Sequence, residues 1–163
     1  MNDSLSIRPA TPADVETILA MVRELAVYEK LSDQCVATEE QFHAALFGEK
    51  PRAEALLGET NGEPIAFALF FHNFSTFAGK PGLYLEDLYV KPDHRGKGYG
   101  KALLRKLAAL ALERGCARFE WTVLDWNEPA IRAYDSIGSA SLDDWRIRRL
   151  EGEALKKLAA QSP

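Results

Sequence analysis

Two cysteines and three histidines in 163 residues leave little with which to staple a fold or build a metal centre. Cys35 and Cys116 stand far apart, and His43, His72 and His94 are scattered, so no ligand spacing forms and no metal is expected. Basic charge is not in excess either. The 20 Lys and Arg against 24 Asp and Glu give a net charge of −4, which argues against a broad cationic face for nucleic acid. No apolar run reaches the length of a membrane span, so no membrane association is expected. The opening MNDSLSIRPA lacks a hydrophobic signal segment, and the expected location is therefore cytoplasmic, with reduced, packed thiols. Repeats and low-complexity segments are also lacking. What is present, 47% hydrophobic and 27% charged residues, suits one soluble globular domain over residues 1–163.

The hydrophobic pattern alternates between strand and helix periods. SLSIRPA reads as a strand, and Thr11-Pro12-Ala13-Asp14 as a helix entry with Thr11 as cap and Pro12 at the first helical position. An amphipathic helix follows to about Glu29. Thr38 with Gln41 has the capping-box spacing before a short helix ending near Gly48. AEALLGE and PIAFALFFH flank Asn61-Gly62, a strong hairpin signal. LYLEDLYV is a further strand, followed by a glycine-rich turn and a helix to about Arg114. RFEWTVLDW reads as a strand, NEPAIRAYDSIG as a short helix, and WRIRRL as a last strand before EGEALKKLA. The order predicts an α+β chain around a mostly antiparallel sheet flanked by helices.

RGKGYGKALLRKLA sets Gly96, Gly98 and Gly100 at alternate positions in front of a helix. Glycine weakens a helix by about 1 kcal/mol against alanine. Such a cluster therefore marks either a tight turn or a place where something must approach bare backbone, and the unpaired N–H groups of a helix start suit a phosphate. The residues do not form a P-loop, because Lys101 is followed by Ala102 rather than Ser or Thr. A dinucleotide fingerprint fails as well, since Lys101 stands where its third glycine belongs. Arg95-x-x-Gly98-x-Gly100 remains, and its neighbours decide its meaning.

YLEDLYV, RGKGYG and NEPAIRAY together resemble the GNAT superfamily of acyl-CoA-dependent N-acetyltransferases, over nearly the whole chain. ELAVYEKLSDQ, VLDWNEPAIRAY and the segment around Trp145 resemble its spermidine/spermine and thialysine acetyltransferase branch. The resemblance implies the acyl-CoA N-acyltransferase fold and acetyl-CoA as donor. It also implies a small aliphatic diamine, polyamine or lysine-like amine as acceptor, and a homodimer. Arg95, Gly96, Lys97, Gly98, Tyr99, Gly100 and Lys101 are then the pyrophosphate turn. Leu88, Tyr89 and Val90 offer a strand edge to the pantetheine arm, with the Tyr89 N–H as the expected donor to the thioester carbonyl.

An aliphatic ammonium, with pKa about 10.4, must lose a proton before it attacks. Glu86 is the expected base, through water, and Asp87 an attractor of substrate cation. On a regular strand the two would face opposite sides. An acidic pair satisfied by neighbouring lysines or arginines is the structural alternative. Tyr134 takes the family's general-acid position, protonating the coenzyme A thiolate, although helical periodicity alone would also make it a core aromatic. Asn127 suits a helix cap or a contact to the coenzyme. Asp143 and Asp144 join the expected substrate residues. Trp145 suits stacking on an aliphatic amine or core filling. SIGSASLDDWRI is shorter than the matching stretch of the animal polyamine enzymes, which leaves substrate length open. The second class of function is a non-catalytic protein that senses acetyl-CoA or polyamine on the same fold.

Overall fold

A computed structural model describes residues 4–161. Its contacts divide the chain into two compact units, one ending at Leu124 and one beginning at Asp125.

The first unit is a five-stranded sheet in the order of the chain. β1 (Ser6–Pro9), β2 (Glu54–Thr60), β3 (Glu63–Ser75) and β4 (Lys80–Val90) are antiparallel neighbours, and β5 (Phe119–Trp121) joins β4 in parallel. A parallel neighbour needs a crossover, which α3 (Tyr99–Glu113) supplies. α1 (Val15–Tyr28) and α2 (Glu39–Phe47) fill the link from β1 to β2. Asn61 and Gly62 have φ of 53° and 80°, the left-handed pair that a tight hairpin between twisted strands requires.

The sheet is covered on both faces. On one face Ile18 and Met21 of α1 and Leu46 of α2 bury against Ala55, Leu57, Phe67 and Tyr89. α3 covers the other, burying Leu103, Leu104, Leu107 and Ala111. Its end is tied to β2 by Arg114, which donates to Glu54 Oε1 at 2.8 Å, and the Arg114 guanidinium lies 5.9 Å from the Phe70 ring centre. No helix among the described residues is long and apolar enough to cross a membrane.

The second unit holds α4 (Glu128–Asp135) and α5 (Gly152–Ala159). WRIRRL, expected as a strand, has no regular secondary structure. Its apolar positions Trp145 and Ile147 are 79% and 71% exposed. Alternation marks a segment able to be a strand, but a strand exists only where a ladder partner takes up its N–H and C=O groups, and residues 145–150 have none among the described residues. β5 is likewise shorter than RFEWTVLDW, for a reason found in β4 below.

A half-buried ionic knot fixes the entry to α1. Arg8 donates to Asp14 Oδ2 at 2.7 Å and Oδ1 at 2.9 Å, and to Glu59 Oε1 at 2.6 Å. The Thr11 N–H and hydroxyl both donate to Asp14 Oδ2. The Arg8 bonds, aided by those from Thr11, hold the Asp14 carboxyl well below the usual range. Its stabilisation is therefore complete above the ordinary aspartate range and is lost as pH falls below it. Asp14→Asn is expected to cost about 2–3 kcal/mol at neutral pH. Urea unfolding of the two proteins should converge on acidification toward about pH 2.

Candidate active site

β4 changes character at one residue. It pairs with β5 only through Leu83↔Phe119, Tyr84↔Glu120 and Leu85↔Trp121. Toward β3, Leu85 faces Phe70 while Asp87 faces Leu69, so Glu86 is an extra residue and the strand is bulged there. Two hydrogen bonds show the consequence. The Leu83 N–H donates to Arg118 O at 3.0 Å, on the β5 side, whereas the Lys91 N–H donates to Ile65 O at 2.9 Å, on the β3 side. Residues an even number apart on a regular strand point the same way, so the insertion has reversed the strand's parity. The N–H groups of Leu88 and Val90 therefore face the edge that β5 has vacated. The expectation that Tyr89 supplies the edge N–H is corrected, because parity turns that group toward β3.

Side chains follow the same rule. Leu85 lies with its partner Phe70 on the α3 face, and Tyr89 on the α1 face within the Ile18–Phe67 cluster. Counting across the extra residue puts Glu86 and Asp87 both on the α1 side, opposite Leu69. A regular strand would have parted them. Glu86 is exposed and Asp87 half-buried. Burial, and then the charges of Glu86 and of Glu29 at the end of α1, push the Asp87 carboxyl up to about 6. No cation contributes to that shift, so the Asp87 carboxyl is set by burial and like charge.

Three residues of α1 and its cap, which no sequence motif singles out, join this face. The Tyr89 hydroxyl donates to Glu24 Oε2 at 2.9 Å, and burial followed by that bond pushes it up to about 12. Tyr28 lies under Arg95, whose guanidinium is 4.7 Å from its ring centre and 5.4 Å from that of Tyr89. Glu29 caps the C-terminus of α1, and burial raises its pKa. A carboxylate at the negative end of a helix dipole breaks a local rule, and that is the signal which could have found it.

The glycine turn follows at once. Arg95 Nε donates to Val90 O at 2.9 Å, tying the turn to the strand end. Gly96 and Gly98 have φ of 76° and 83°, and a Cβ added at either would meet nothing within 4 Å. Backbone conformation, not crowding, requires glycine here. Gly98 caps α3 without a side-chain bond, and no acidic residue lies in the first turn. The helix start is thus bare and flanked by Lys97 and Lys101, with Tyr99 buried beside His94. Gly100 is ordinary helix, where a Cβ would touch Val90 Cγ2 at 3.8 Å.

In the second unit Asn127 Oδ1 accepts from the Ala130 N–H at 3.4 Å, so it does cap α4, with Tyr134 the next-to-last residue of that helix. Asp143 accepts from the Ser141 hydroxyl. Asp143, Asp144 and Trp145 are exposed, so Trp145 does not fill a core.

An opened strand edge, a bare cationic helix start and carboxylates gathered on one face suit the class of group-transferring enzymes. The comparisons make this particular. The chain belongs to the Acetyltransferase (GNAT) family, which it matches over residues 21–138, and it is an N-acetyltransferase. It is 42% identical to the thialysine N-epsilon-acetyltransferase of Sus scrofa, over 97% of this chain and 99% of that protein. With the L-ornithine N5-acetyltransferase NATA1 of Arabidopsis thaliana it shares 32% identity, over 93% and 86%. An integron cassette protein from the mobile metagenome of V. cholerae superposes with a TM-score of 0.82 at 27% identity, covering 97% and 99%.

The raised carboxyl of Asp87 sets a stability test. Charging it costs the folded state up to about 3 kcal/mol, a pKa near 6 in place of one near 4. That cost appears only as pH rises through this interval. Asp87→Asn should therefore melt higher than the parent at pH 8, with the gain vanishing by about pH 4. Equal melting temperatures at pH 8 would contradict the strained carboxyl.

Proposed function

We propose that the chain transfers acetyl from acetyl-CoA to a primary amine of a small aliphatic lysine-like or polycationic molecule by direct attack. The observation that carries this reading is the bulge at Glu86, which opens a hydrogen-bonding edge beside a bare helix start and gathers carboxylates behind it. The pyrophosphate would bind to the first N–H groups of α3 and to Gly96, Gly98 and Gly100, with Lys97 and Lys101 supplying charge and Arg95 holding the turn to Val90. Leu88, Tyr89 and Val90 would carry the pantetheine arm as an added strand, and the Leu88 N–H would polarise the thioester carbonyl. Asp87 attracts the substrate cation, and Glu86, through water, relieves it of a proton. Tyr134 protonates the leaving thiolate, Asn127 steadies the start of its helix, and Asp143, Asp144 and Trp145 receive the far end of the amine.

Relatives named for thialysine and L-ornithine support an acceptor with an amino group on an aliphatic chain. The exposed Leu142, Ile147, Leu155 and Leu158 of the second unit support a homodimer that covers them. We place the working protein in the cytoplasm, with both units serving one domain.

Thiol release from acetyl-CoA, followed with thialysine, lysine, ornithine, putrescine, spermidine and an aromatic monoamine, tests the reading. Aliphatic amines with a second charged group should be preferred, and the preference should weaken as salt is raised. Release with none of them would leave a sensor. The turn is tested by Gly98→Asn, since asparagine tolerates a left-handed backbone. The variant should keep its fold while acetyl-CoA affinity falls about tenfold or more, one lost phosphate contact of about 1.5–3 kcal/mol. Unchanged affinity by calorimetry would remove the pyrophosphate assignment.

A further inference from the structure

Cations crowd the first two turns of α3 in an arrangement that disfavours the free helix. Lys101 and Arg105 lie four residues apart on its outward face, away from the buried Tyr99, Leu103, Leu104 and Leu107. Like charges at that spacing repel, and both oppose the positive end of the helix dipole, where acids are favoured. No acid of α3 relieves them. The positions three and four residues from Arg105 on either side are Lys101, Ala102, Ala108 and Ala109, and the first carboxylate of the helix is Glu113. Lys97, in the turn itself, adds a third cation. Beyond Arg105 the outward face is uncharged, made of Ala108, Ala109 and the exposed Leu112, so the charge on that face stops after the second turn.

A pyrophosphate at the helix start uses only part of this set. It would engage the first N–H groups with Lys97 and Lys101, whereas Arg105 stands a full turn beyond Lys101, about 5.4 Å of rise. That rise is of the order of the span across one ribose. Coenzyme A carries, on the 3′ oxygen of the ribose that bears its diphosphate, a phosphomonoester that is close to a dianion at neutral pH.

We propose that Arg105 binds the 3′-phosphate of the donor and makes the chain selective for the 3′-phosphorylated coenzyme. The proposal rests on the acetyl-transfer reading above. A guanidinium presents two N–H groups in a fork that matches two phosphate oxygens, and on a regular helix it is carried at a fixed depth from the turn. The bound dianion would also relieve the repulsion between Arg105 and Lys101, so the free helix bears a cost that the donor removes. Lys106 provides an internal control. It has the same charge at nearly the same depth, but is turned about 100° around the helix axis from Arg105.

Calorimetric binding of coenzyme A and of 3′-dephospho-coenzyme A tests the assignment without turnover. The parent should bind coenzyme A about tenfold or more tighter than the dephospho form. Arg105→Ala should lose that factor for coenzyme A, while its affinity for the dephospho form stays within about twofold, because a solvent-exposed charge a turn away is screened from the pyrophosphate. Arg105→Lys should retain part of the preference, and Lys106→Ala all of it. Gly98→Asn should weaken both coenzymes by the same factor, since the pyrophosphate is common to them. Melting of the free protein separates binding from a structural role: Arg105→Ala should melt no lower than the parent, because it removes a like-charge contact and installs the best helix former. Equal binding of the two coenzymes by the parent would overturn the proposal. So would an Arg105→Ala variant that weakens both alike, or a Lys106→Ala variant that loses the preference as fully, since either outcome describes a diffuse cationic field. Binding of neither coenzyme by the parent would reject the underlying acetyl-transfer reading instead.

Discussion

One inserted residue governs the arrangement around β4. A strand's N–H groups and side chains alternate with period two, so a single extra residue exchanges both directions downstream of itself. Upstream of Glu86, β4 is an ordinary central strand bonded to β3 and β5. Downstream, β3 still takes up alternate N–H groups while β5 has already ended, leaving Leu88 and Val90 with donors that no described strand accepts. The same exchange sets Glu86 and Asp87 side by side and returns Tyr89 to the α1 cluster. Splayed edge, paired carboxylates and intact core are three results of one local event.

That event is hard to read from sequence, since LYLEDLYV alternates as well as any regular strand. Alternation predicts a strand but not a register slip, which depends on what the neighbouring strand does at Leu69 and Phe70. Elements with strong local determinants were legible: the 3.6-residue period of α1 and α3, the Thr38–Gln41 capping box, and Asn61-Gly62, whose positive φ values few other pairs could adopt. The Arg95–Lys101 turn was legible as a cluster of glycines, although only the structure separates Gly96 and Gly98, held by backbone conformation, from Gly100, which is not. WRIRRL misled for the converse reason, because a strand pattern is a capacity for pairing and says nothing of whether a partner is present. Glu24, Tyr28 and Glu29 went unassigned because a helical period reports which face is buried and not what that face meets.

The same stretch gathers features that cost stability. Asp87 is a desolvated carboxyl, Glu29 opposes its helix dipole, and α3 begins without a side-chain cap. Each departs from a local rule, and departures concentrated in one place are what a binding or reacting site leaves in a fold. Offsets lie away from it. The Arg8–Asp14–Glu59 knot fastens α1 to the sheet at the far end of that helix, and the Arg114–Glu54 pair does the same for α3. Both helices are thus anchored at the termini opposite to those that line the candidate site. Their working ends can remain unneutralised without loosening the packing.

Charge sign sorts the neighbourhood in a way that suits two substrates of opposite character. Beyond Val90 the chain turns through Arg95, Lys97 and Lys101 into the positive end of a helix with no acid in its first turn. On the α1 side of β4, Glu24, Glu29, Glu86 and Asp87 accumulate instead. A net charge of −4 averages over both and hides them. An anionic donor and a cationic acceptor would each be drawn to its own side of one strand, so β4 would act as a partition as well as a platform. Mutual attraction of the two sets of protein charges is limited by the strand and the apolar Leu88 and Val90 between them. Arg95 marks that boundary, since its guanidinium is committed to the Val90 carbonyl and to the rings of Tyr28 and Tyr89 rather than to a carboxylate. Satisfied in that way, it adds cationic field to the turn without neutralising the acidic face, and neither charge set is consumed by the other.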